Sequence, residues 1–583
     1  MNVVKGIAAI VLAVMMAAFS QATPVKKRWP LPIEIDAAAE PIKDLRNSSS
    51  APDLGYAGAM LEMSTLVAEW FYISNRVESA KLIRDAGAWV VRPWSANDTW
   101  QRGMAWVKTK DREALQKKHP HVPFIDPHAY FSFWKENGMK AILCLENYSV
   151  FTDVEKAQRS SEIETVKKVI CDYVQWIVDN GYKDCVAGFE LGNESYWGHH
   201  PEIYAERWCA IVPEMKRIWP EMKIGMPLAE YRDGDPDIAA VRARATGLEW
   251  VTNDGRGEFS FSRLNQWSGR FIVAMSNQLH NISHVIYHFY GGDGAYGCSG
   301  NGFKRINRFA EIFPEIKDKR VWITEWRERS DEDNRCHQMF FSSIWKGHYL
   351  LLTLAQPNVD GISLHNLASL AGALSVSTGT WMFQFDPSQR NYIDPDYAGK
   401  PRMEIGPAAP VFRIYCDALK KHPIILDHGT TSNKGKTASI WTSANYYGKA
   451  NAQIRAIARN NPIPRNGGDV EWVATLSADK SSLSVLMANS WNKVGHIPLE
   501  LNGFAFAGSP VVESVTIPEE HLYSHLIPGE RPLWICNSET LEPLSGTNTT
   551  IVIAPHSVQS VTIPLKQKIQ IPDLSRKLAA GFE

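Results

Sequence analysis

Residues 186–194 read VAGFELGNE and residues 320–326 read RVWITEW, and in both stretches a mainly apolar run leads to a glutamate. Runs of this kind indicate strands that are buried on both faces, as in a parallel sheet. Between them lie stretches in which apolar residues recur at helical spacing, for example Ser161–Asn180 and Pro201–Trp219. Alternation of strands and helices is typical of βα units.

Eight runs of this type occur between residues 51 and 420. They are Tyr56–Met63, Trp89–Pro93, Lys140–Leu145, Val186–Gly192, Lys223–Pro227, His284–Phe289, Arg320–Thr324 and Gly361–Leu364. A last helix is predicted at Pro407–Lys420. Eight strands, each followed by a helix, predict an α/β fold, the (β/α)8 TIM barrel. An open doubly wound sheet is the alternative, but no G-x-G-x-x-G turn follows the first predicted strand, where that fold carries it.

The first 22 residues are expected to be a signal peptide. Lys5 precedes an apolar run from Ile7 to Phe19, and Ser20-Gln21-Ala22 places small residues where signal peptidase cleaves. No later stretch approaches the roughly 18 consecutive apolar residues that a transmembrane helix needs. We therefore expect a secreted or periplasmic protein with no membrane span.

The remaining sequence divides into four predicted segments. Residues 23–50 are a proline-rich and then polar N-terminal extension, and residues 51–420 form the catalytic barrel. Residues 421–565 hold short strand-like runs separated by Gly, Pro, Asn and Asp, which predict an antiparallel β-sandwich. Residues 566–583 are a charged tail that we expect to be loose.

Composition excludes several classes of protein. Hydrophobic residues make up 44% and charged residues 21%, so the chain is not disordered. Lys+Arg is 62 and Asp+Glu is 63, which leaves no overall basic character for nucleic-acid binding. Neither C-x-x-C nor H-E-x-x-H occurs, so the sequence carries no zinc signature. No metal or organic cofactor is expected for the reaction predicted below. Of the eight cysteines, Cys298 and Cys336 are the pair that we would test first for a disulfide.

Glu194 follows the fourth run and Glu325 follows the seventh. The carboxyl ends of barrel strands meet at one face, so both glutamates are expected there. Hydrolysis of a glycosidic bond needs two such groups, because one carboxyl protonates the leaving oxygen while the other attacks the anomeric carbon. Strands four and seven permit the separation of about 5–5.5 Å that retaining enzymes use. The sequence therefore predicts Glu194 and Glu325 as catalytic residues of a glycosidase.

These motifs resemble those of the clan A retaining glycoside hydrolases. Residues 189–194, FELGNE, are most similar to the heparanase-type and α-L-arabinofuranosidase-type families, and Ile553–Val558 resembles the closing strand of their sandwich. The resemblance covers about residues 51–420 and implies an enzyme acting on a poly- or oligosaccharide, with Glu194 as acid/base and Glu325 as nucleophile. Ser195 replaces the proline usual after Asn-Glu, which loosens the assignment to a subfamily.

The resemblance also implies roles for three neighbours of the glutamates. Asn193 would bind the sugar 2-hydroxyl, Arg92 would keep the nucleophile ionised, and Tyr290 would donate a hydrogen bond to the nucleophile. Beside a positive charge the pKa of Glu325 should fall, and beside an ionised Glu325 the pKa of Glu194 should rise.

Other residues at the same face have competing interpretations. His288 is either a substrate ligand or a satisfied rim histidine, and Trp326 is a candidate floor for the sugar. Glu190 is expected to point into the barrel wall and pair structurally. Candidate stacking platforms are Trp94, Trp100, Trp197 and Trp381.

The sequence does not decide whether the substrate is charged or whether the protein cleaves it or only binds it. Arg232, Arg327 and Arg329 follow predicted strands and suit a uronic or sulfated sugar, but local pairing of the last two with adjacent acids is the simpler explanation. A non-catalytic carbohydrate-binding protein on the same fold is the main alternative to an enzyme. A serine hydrolase is disfavoured because G-x-S-x-G does not occur. Oligomeric state and endo or exo action are not predicted.

Overall fold

A computed structural model describes most of the barrel and the sandwich. The described residues are 32–46, 57–60, 90–104, 126–145, 156–229, 235–247, 261–290, 301–327, 340–365, 383–385, 403–405, 409–431, 470–489, 493–521 and 533–567, with gaps at 38, 94–95, 98–99, 102 and 198. The predicted signal peptide, the tail beyond residue 567 and the pair Cys298 and Cys336 lie outside these residues.

The described elements follow the predicted order. The strands are β1 (Ile33–Asp36), β2 (Lys43–Asp44), β3 (Ala57–Met60), β4 (Val90–Val91), β5 (Lys140–Leu145), β6 (Val186–Leu191), β7 (Ile224–Pro227), β8 (His284–Tyr290), β9 (Arg320–Arg327), β10 (Val359–His365), β11 (Phe383–Phe385), β12 (Met403–Ile405), β13 (Ile424–Thr430), β14 (Val470–Leu476), β15 (Ser482–Asn489), β16 (Gly495–Asn502), β17 (Phe504–Gly508), β18 (Val511–Thr516), β19 (Ile535–Thr540), β20 (Leu544–Gly546), β21 (Asn548–Ile553) and β22 (Ser557–Gln567). The helices are α1 (Pro127–Glu136), α2 (Lys156–Asp179), α3 (Pro201–Ile218), α4 (Ile238–Gly247), α5 (Phe261–Ala274), α6 (Asn301–Ile312), α7 (Phe340–Leu354) and α8 (Ala409–Lys421).

Strands β3 to β10 form the barrel. They make one parallel sheet in the order β3-β10-β9-β8-β7-β6-β5-β4, and its two end strands lie beside each other, which closes the ring. The (β/α)8 prediction is confirmed. Among the described residues no helix has both the length and the apolar character needed to cross a membrane.

A large indole fills the barrel interior. Trp322 is buried together with Val90, Ile142, Ala187 and Ile286. Two glycines on neighbouring strands make room for this ring. A Cβ at Gly188 would lie 2.5 Å from Trp322 Cη2, and one at Gly225 would lie 3.1 Å from Trp322 Cε3. Close packing at this level explains why both positions need glycine.

A buried polar cluster closes the opposite, N-terminal end of the barrel. His284 stacks on Trp322 with ring centroids 3.8 Å apart, and its Nε2 lies 3.1 Å from Asp360 Oδ2. Arg320 Nε donates to Asp360 Oδ1 at 2.8 Å. Lys43 Nζ donates to the carbonyl oxygens of Gln356 and Val359 at 2.8 and 3.0 Å. Groups at this end of a barrel serve stability rather than chemistry.

The sandwich packs a small sheet on a large one. The small sheet has the order β1-β16-β21, and the large sheet runs β19-β18-β22-β15-β14-β13-β2, with β17 and β20 beside β22. The predicted strands Trp472–Leu476 and Leu483–Ala488 are confirmed as parts of β14 and β15. Strand β1 runs parallel to β16, and β2 pairs with β13, so residues 33–44 of the predicted extension complete both sheets.

The barrel and the sandwich share a packed interface. Helices α7 and α8 lie against β14, β15 and β22. Across this interface His348 Nδ1 lies 2.7 Å from Glu471 Oε2, and Tyr415 Oη donates to the carbonyl oxygen of Met487 at 3.0 Å. Both members of the His348–Glu471 pair are buried. The sandwich therefore supports the barrel on the side of these two helices.

We predict that Ile35→Ala destabilises the protein by at least about 2 kcal/mol, because Ile35 is fully buried between the two sheets. The free energy of unfolding from denaturant titration measures this change. Glu34→Ala is the matched control, since Glu34 is exposed on the same strand and should change stability by less than about 0.5 kcal/mol. Equal effects of the two substitutions would contradict the assignment of β1 to the sandwich.

Candidate active site

Five side chains converge at the C-terminal end of the barrel. Arg92 follows β4, Glu190 is near the end of β6, Glu194 lies in the turn after β6, His288 is near the end of β8, and Glu325 is near the end of β9. All five come from the positions at which parallel barrel strands deliver side chains to a common face.

Arg92 links two carboxylates. Its guanidinium is fully buried. The Nε atom contacts Glu190 Oε2, and Nη2 donates to Glu190 Oε1 at 2.8 Å. The Nη1 atom donates to Glu325 Oε1 at 2.9 Å, so the expected contact between Arg92 and the proposed nucleophile is present. Nη2 also donates to Asn193 Oδ1 at 2.8 Å. The planar fork of arginine suits this divided contact.

His288 contacts all three glutamates. Its Nδ1 lies 3.0 Å from Glu194 Oε1 and 3.3 Å from Glu325 Oε2. On the other side of the ring, Nε2 lies 3.1 Å from Thr324 Oγ1 and 3.6 Å from Glu190 Oε1. The ring is 4% exposed, so water screens these contacts little.

The two proposed catalytic carboxylates are close together. One carboxylate oxygen of Glu194, one of Glu325 and a nitrogen of His288 all lie within 4.8 Å of one another. Retaining glycosidases hold their carboxyl groups about 5–5.5 Å apart, whereas inverting enzymes hold them about 6.5–9.5 Å apart. The geometry therefore fits direct attack by one carboxylate on the sugar.

The charges in the site favour a protonated His288 between ionised Glu190 and Glu194. Burial lowers the pKa of His288, but Glu325, Glu190 and Glu194 raise it more, to about 9. Burial raises the pKa of Glu190, yet Arg92 holds it below its usual value. The expectation that the pKa of Glu194 rises is wrong. Although burial raises this pKa, the hydrogen bond and charge of His288 lower it below the usual value.

The turn that carries Glu194 has an unusual backbone. Gly192 has φ of +88° and Glu194 has φ of +46°, a region in which non-glycine residues are rare. Tyr204 of α3 donates its hydroxyl to the carbonyl oxygen of Leu191 at 2.6 Å, and a Cβ at Gly192 would lie 1.8 Å from that hydroxyl. The tyrosine thus holds the turn and requires glycine beside it. Strain of this kind is typical of functional sites.

Two carboxylates and a histidine are numerous enough to bind a metal ion, but the protonated histidine does not suit one. Glu194, His288 and Glu325 offer three ligand atoms within 4.8 Å. A histidine binds a metal only as the neutral imidazole, whereas a pKa near 9 keeps His288 protonated at neutral pH. Arg92 already neutralises part of the carboxylate charge. The group is therefore better suited to sharing protons than to holding a cation.

One predicted substrate contact is wrong. Trp326 is fully buried on the outer side of β9, where its ring lies 4.4 Å from that of Tyr349 and 6.1 Å from that of Phe412. It packs against α7 and α8 and does not form the floor of a sugar site. The pairing of β8 with β9 shifts register between Tyr287 and His288, so Thr324 and Glu325 both face the site although they are consecutive, and Trp326 faces outward.

The structure gives no side-chain placement for several other candidates. The side chains of Tyr290, Trp94, Trp197 and Trp381 lie outside the described residues, as do those of Arg232, Arg327 and Arg329. Trp100 is described, and it packs on Tyr173 and Trp176 with ring centroids at 5.2 and 6.2 Å. Trp100 therefore belongs to an aromatic cluster with two residues of α2, and this packing accounts for its position without a sugar contact.

Three residues of the site were not predicted. Thr324 Oγ1 donates to Glu190 Oε1 at 3.3 Å, Tyr196 Oη donates to Glu194 Oε1 at 3.1 Å, and Arg92 Nη2 lies 3.6 Å from Cys144 Sγ. Their positions near the ends of strands could have found two of them. Cys144 occupies an end position of β5, and Thr324 immediately precedes the proposed nucleophile.

We predict that His288→Gln reduces the free energy of unfolding most below about pH 6.5. The folded-state pKa of about 9 is above the ordinary value of 6.5, so the stabilisation is fully present below pH 6.5 and is lost as pH rises through 9. The difference between wild type and variant should shrink by about 2–3 kcal/mol between pH 6 and pH 10. Denaturant titrations across this range measure it.

The pKa of His284 is shifted in the opposite direction from that of His288, so the two histidines can be compared. Burial lowers its pKa to about 4 despite the contact with Asp360. Its contribution to stability is therefore present above pH 6.5 and is lost as pH falls toward 4, so His284→Gln should change stability mainly in the acidic range. A His288→Gln difference that does not vary with pH would contradict the prediction.

Comparison with known proteins agrees with this fold. No protein-family model matches the chain, and no curated protein matches its sequence. The chain is similar in fold to solved structures that include three arabinofuranosidases. An arabinofuranosidase is 13% identical over 91% of this chain and 99% of its own, with a TM-score of 0.56. A family 51 α-L-arabinofuranosidase from Bifidobacterium longum is 13% identical over 91% and 99%, with a TM-score of 0.53.

The third is a family 51 α-L-arabinofuranosidase from Thermotoga petrophila, which is 12% identical over 83% of this chain and 89% of its own, with a TM-score of 0.51. At this level of identity the likeness is one of fold. The resemblance seen in the sequence is confirmed at that level, because these neighbours are glycoside hydrolases of clan A. The chain therefore has the barrel-and-sandwich fold of the clan A glycoside hydrolases.

Proposed function

We propose that this protein is a retaining glycoside hydrolase that cleaves a poly- or oligosaccharide by double displacement. The observation that carries the proposal is the approach of Glu194 and Glu325 to within 4.8 Å at the C-terminal face of the barrel. Inverting enzymes hold their carboxyl groups farther apart, at about 6.5–9.5 Å, to admit a water between them and the sugar. The fold of the solved neighbours supports the same class of reaction.

In the first step, Glu325 attacks the anomeric carbon while the bond to the leaving oxygen breaks. Glu194 gives its proton to that oxygen, so a neutral alcohol departs and a glycosyl ester of Glu325 remains. In the second step, water attacks the same carbon and loses a proton to Glu194, and the ester bond to Glu325 breaks. Each step inverts the anomeric centre, and the two together retain its configuration.

The proton that Glu194 gives away is held beside it in the resting site. His288 is protonated at neutral pH, and its Nδ1 lies 3.0 Å from Glu194 Oε1. Transfer across this hydrogen bond makes Glu194 a neutral acid. Esterification of Glu325 then removes one of the negative charges that hold the proton on His288. The pair therefore delivers the proton in the first step and recovers it in the second.

We propose an arabinofuranoside or a related glycoside as the first substrate class to test. A similar α-L-arabinofuranosidase, from Thermotoga maritima, was solved as an arabinose complex with a TM-score of 0.50. A finer proposal is that the substrate carries uronic or sulfate groups, and it rests on Arg232, Arg327 and Arg329 in the sequence. Residues 1–22 support export of the enzyme, as a secreted or periplasmic protein.

A panel of aryl glycosides and polysaccharides tests the function. It includes α-L-arabinofuranosides, β-D-xylosides and β-D-glucuronides, with matched neutral and charged polymers at several salt concentrations. Proton NMR of the first product anomer checks retention. If the substrate is charged, KM should rise with ionic strength. Binding of a glycan without turnover would support the non-catalytic alternative, and a product of inverted configuration would contradict the mechanism.

A further inference from the structure

The site contains a third carboxylate that neither step of the proposed reaction uses. Glu190 is fully buried inside the barrel, below the two catalytic glutamates. We propose that Glu190 is a positioning residue that fixes Arg92 and His288 and thereby sets the pH range of catalysis. This inference rests on the proposed function and assigns Glu190 no contact with the substrate.

Glu190 determines which donor of Arg92 reaches the nucleophile. Two nitrogens of the guanidinium, Nε and Nη2, contact the two oxygens of Glu190. The third nitrogen, Nη1, is then directed at Glu325 Oε1 at 2.9 Å. A guanidinium is planar and rigid, so fixing one edge on Glu190 fixes the direction of the remaining donor. Glu325 is therefore held in place through Arg92.

Glu190 also fixes the ring of His288. Thr324 Oγ1 donates a hydrogen bond to Glu190 Oε1 at 3.3 Å. The same oxygen lies 3.1 Å from His288 Nε2 and accepts a hydrogen bond from the protonated ring. Glu190 Oε1 itself lies 3.6 Å from Nε2. With Nε2 engaged on this side, Nδ1 faces Glu194 and Glu325. The buried carboxylate thus orients the histidine whose proton serves the acid.

The negative charge of Glu190 acts on every titrating group around it. Three charged groups face His288 or Glu190, namely Arg92 after β4, Glu194 after β6 and Glu325 of β9. Two further titratable groups lie next to these: Cys144 of β5 contacts Arg92, and Tyr196 contacts Glu194. Removal of one buried negative charge favours the deprotonated form of each neighbouring acid. The pKa values of His288 and Glu194 should therefore both fall.

Glu190→Gln tests the proposal because glutamine keeps the shape and removes the charge. The limb of the pH profile of kcat/KM that reports the proton shared by His288 and Glu194 should move to lower pH by about one unit. The value of kcat should fall more than tenfold with little change in KM. An unmoved limb would overturn the proposal.

Two further variants separate position from charge. Glu190→Asp keeps the charge but shortens the side chain, so kcat should fall while the limbs stay in place; a wild-type kcat would overturn the positioning role. Glu471→Gln is the matched control, because Glu471 is a buried carboxylate paired with a histidine at the sandwich interface. It should lower stability without moving either limb.

An NMR titration keeps this test independent of the proposed function. Imidazole signals of the full-length protein are recorded in wild type and in Glu190→Gln, and the signal lost in His288→Gln identifies the ring. The titration midpoint of His288 should fall by about one pH unit in Glu190→Gln. An unchanged midpoint would overturn the inference even if the enzyme is active. A shifted midpoint in a protein without glycosidase activity would leave the effect of Glu190 on His288 standing and would remove the proposed function together with the role in catalysis.

Discussion

Glu325→Gln should lower the rate of glycoside hydrolysis at least about 10³-fold, and Glu194→Gln should lower it at least about 10²-fold on substrates with poor leaving groups. Glutamine cannot form the glycosyl ester at position 325, and it cannot supply a proton at position 194. Initial rates on the best substrate of the panel measure both losses. Thermal unfolding of each variant shows that the fold is retained.

Azide distinguishes the two roles. With an activated substrate, Glu325→Gly and azide should give a glycosyl azide of inverted configuration, because azide replaces the missing nucleophile. Glu194→Ala and azide should give the retained azide, because azide attacks the ester of Glu325 without needing a base. Glu164→Gln on α2 is the matched control, since Glu164 is 65% exposed and should leave the rate unchanged. Near wild-type rates in both active-site variants would refute the catalytic assignment.

Arg92→Met should reduce the free energy of unfolding by about 3–5 kcal/mol at neutral pH. Methionine matches the length of the arginine stem, but Glu190 and Glu325 lose the cation that they share. A buried carboxylate without its partner is strongly destabilising. Guanidinium chloride titrations at several pH values measure the loss, which should decrease under acidic conditions as the carboxylates take up protons.

The control for this prediction is an arginine at the surface. Arg217 is 73% exposed and pairs with Glu214 along α3, so Arg217→Met should change stability by less than about 1 kcal/mol. A loss of similar size in both variants would mean that Arg92 stabilises through its bulk alone. Hydrolysis by Arg92→Met should also be weak, because Glu325 is no longer held in place.

The barrel could be predicted from the sequence because its signals are local. Each strand run carries its own apolar pattern, and Lys140–Leu145 has the same bounds in the sequence prediction and in the structure. The entry of β1 and β2 into the sandwich could not be predicted in this way. Ile33 faces Leu499, near the other end of the chain, and no short-range pattern encodes such a pairing.

The sequence could predict those residues of the candidate site whose positions depend only on where a strand ends. The positions of Glu194, Glu325 and Arg92 follow from the strand that each one ends. The pKa of Glu194 depends instead on a 3.0 Å contact with His288, which strand order does not reveal. The outward direction of Trp326 could not be predicted from simple alternation, because the consecutive residues Thr324 and Glu325 both face the site at an irregularity in the pairing of β8 with β9.

The pairing of β1 with β16 has a consequence for how the protein is made. The strand near the start of the chain finds its partner only after the whole barrel and much of the sandwich have been synthesised. Until then Ile33 and Ile35 have no core to enter, although both are fully buried at the end. Closing so long a loop is a slow, late event in folding. The unfinished chain therefore presents an apolar strand that invites pairing with a second copy, and an assisting chaperone would act at this end.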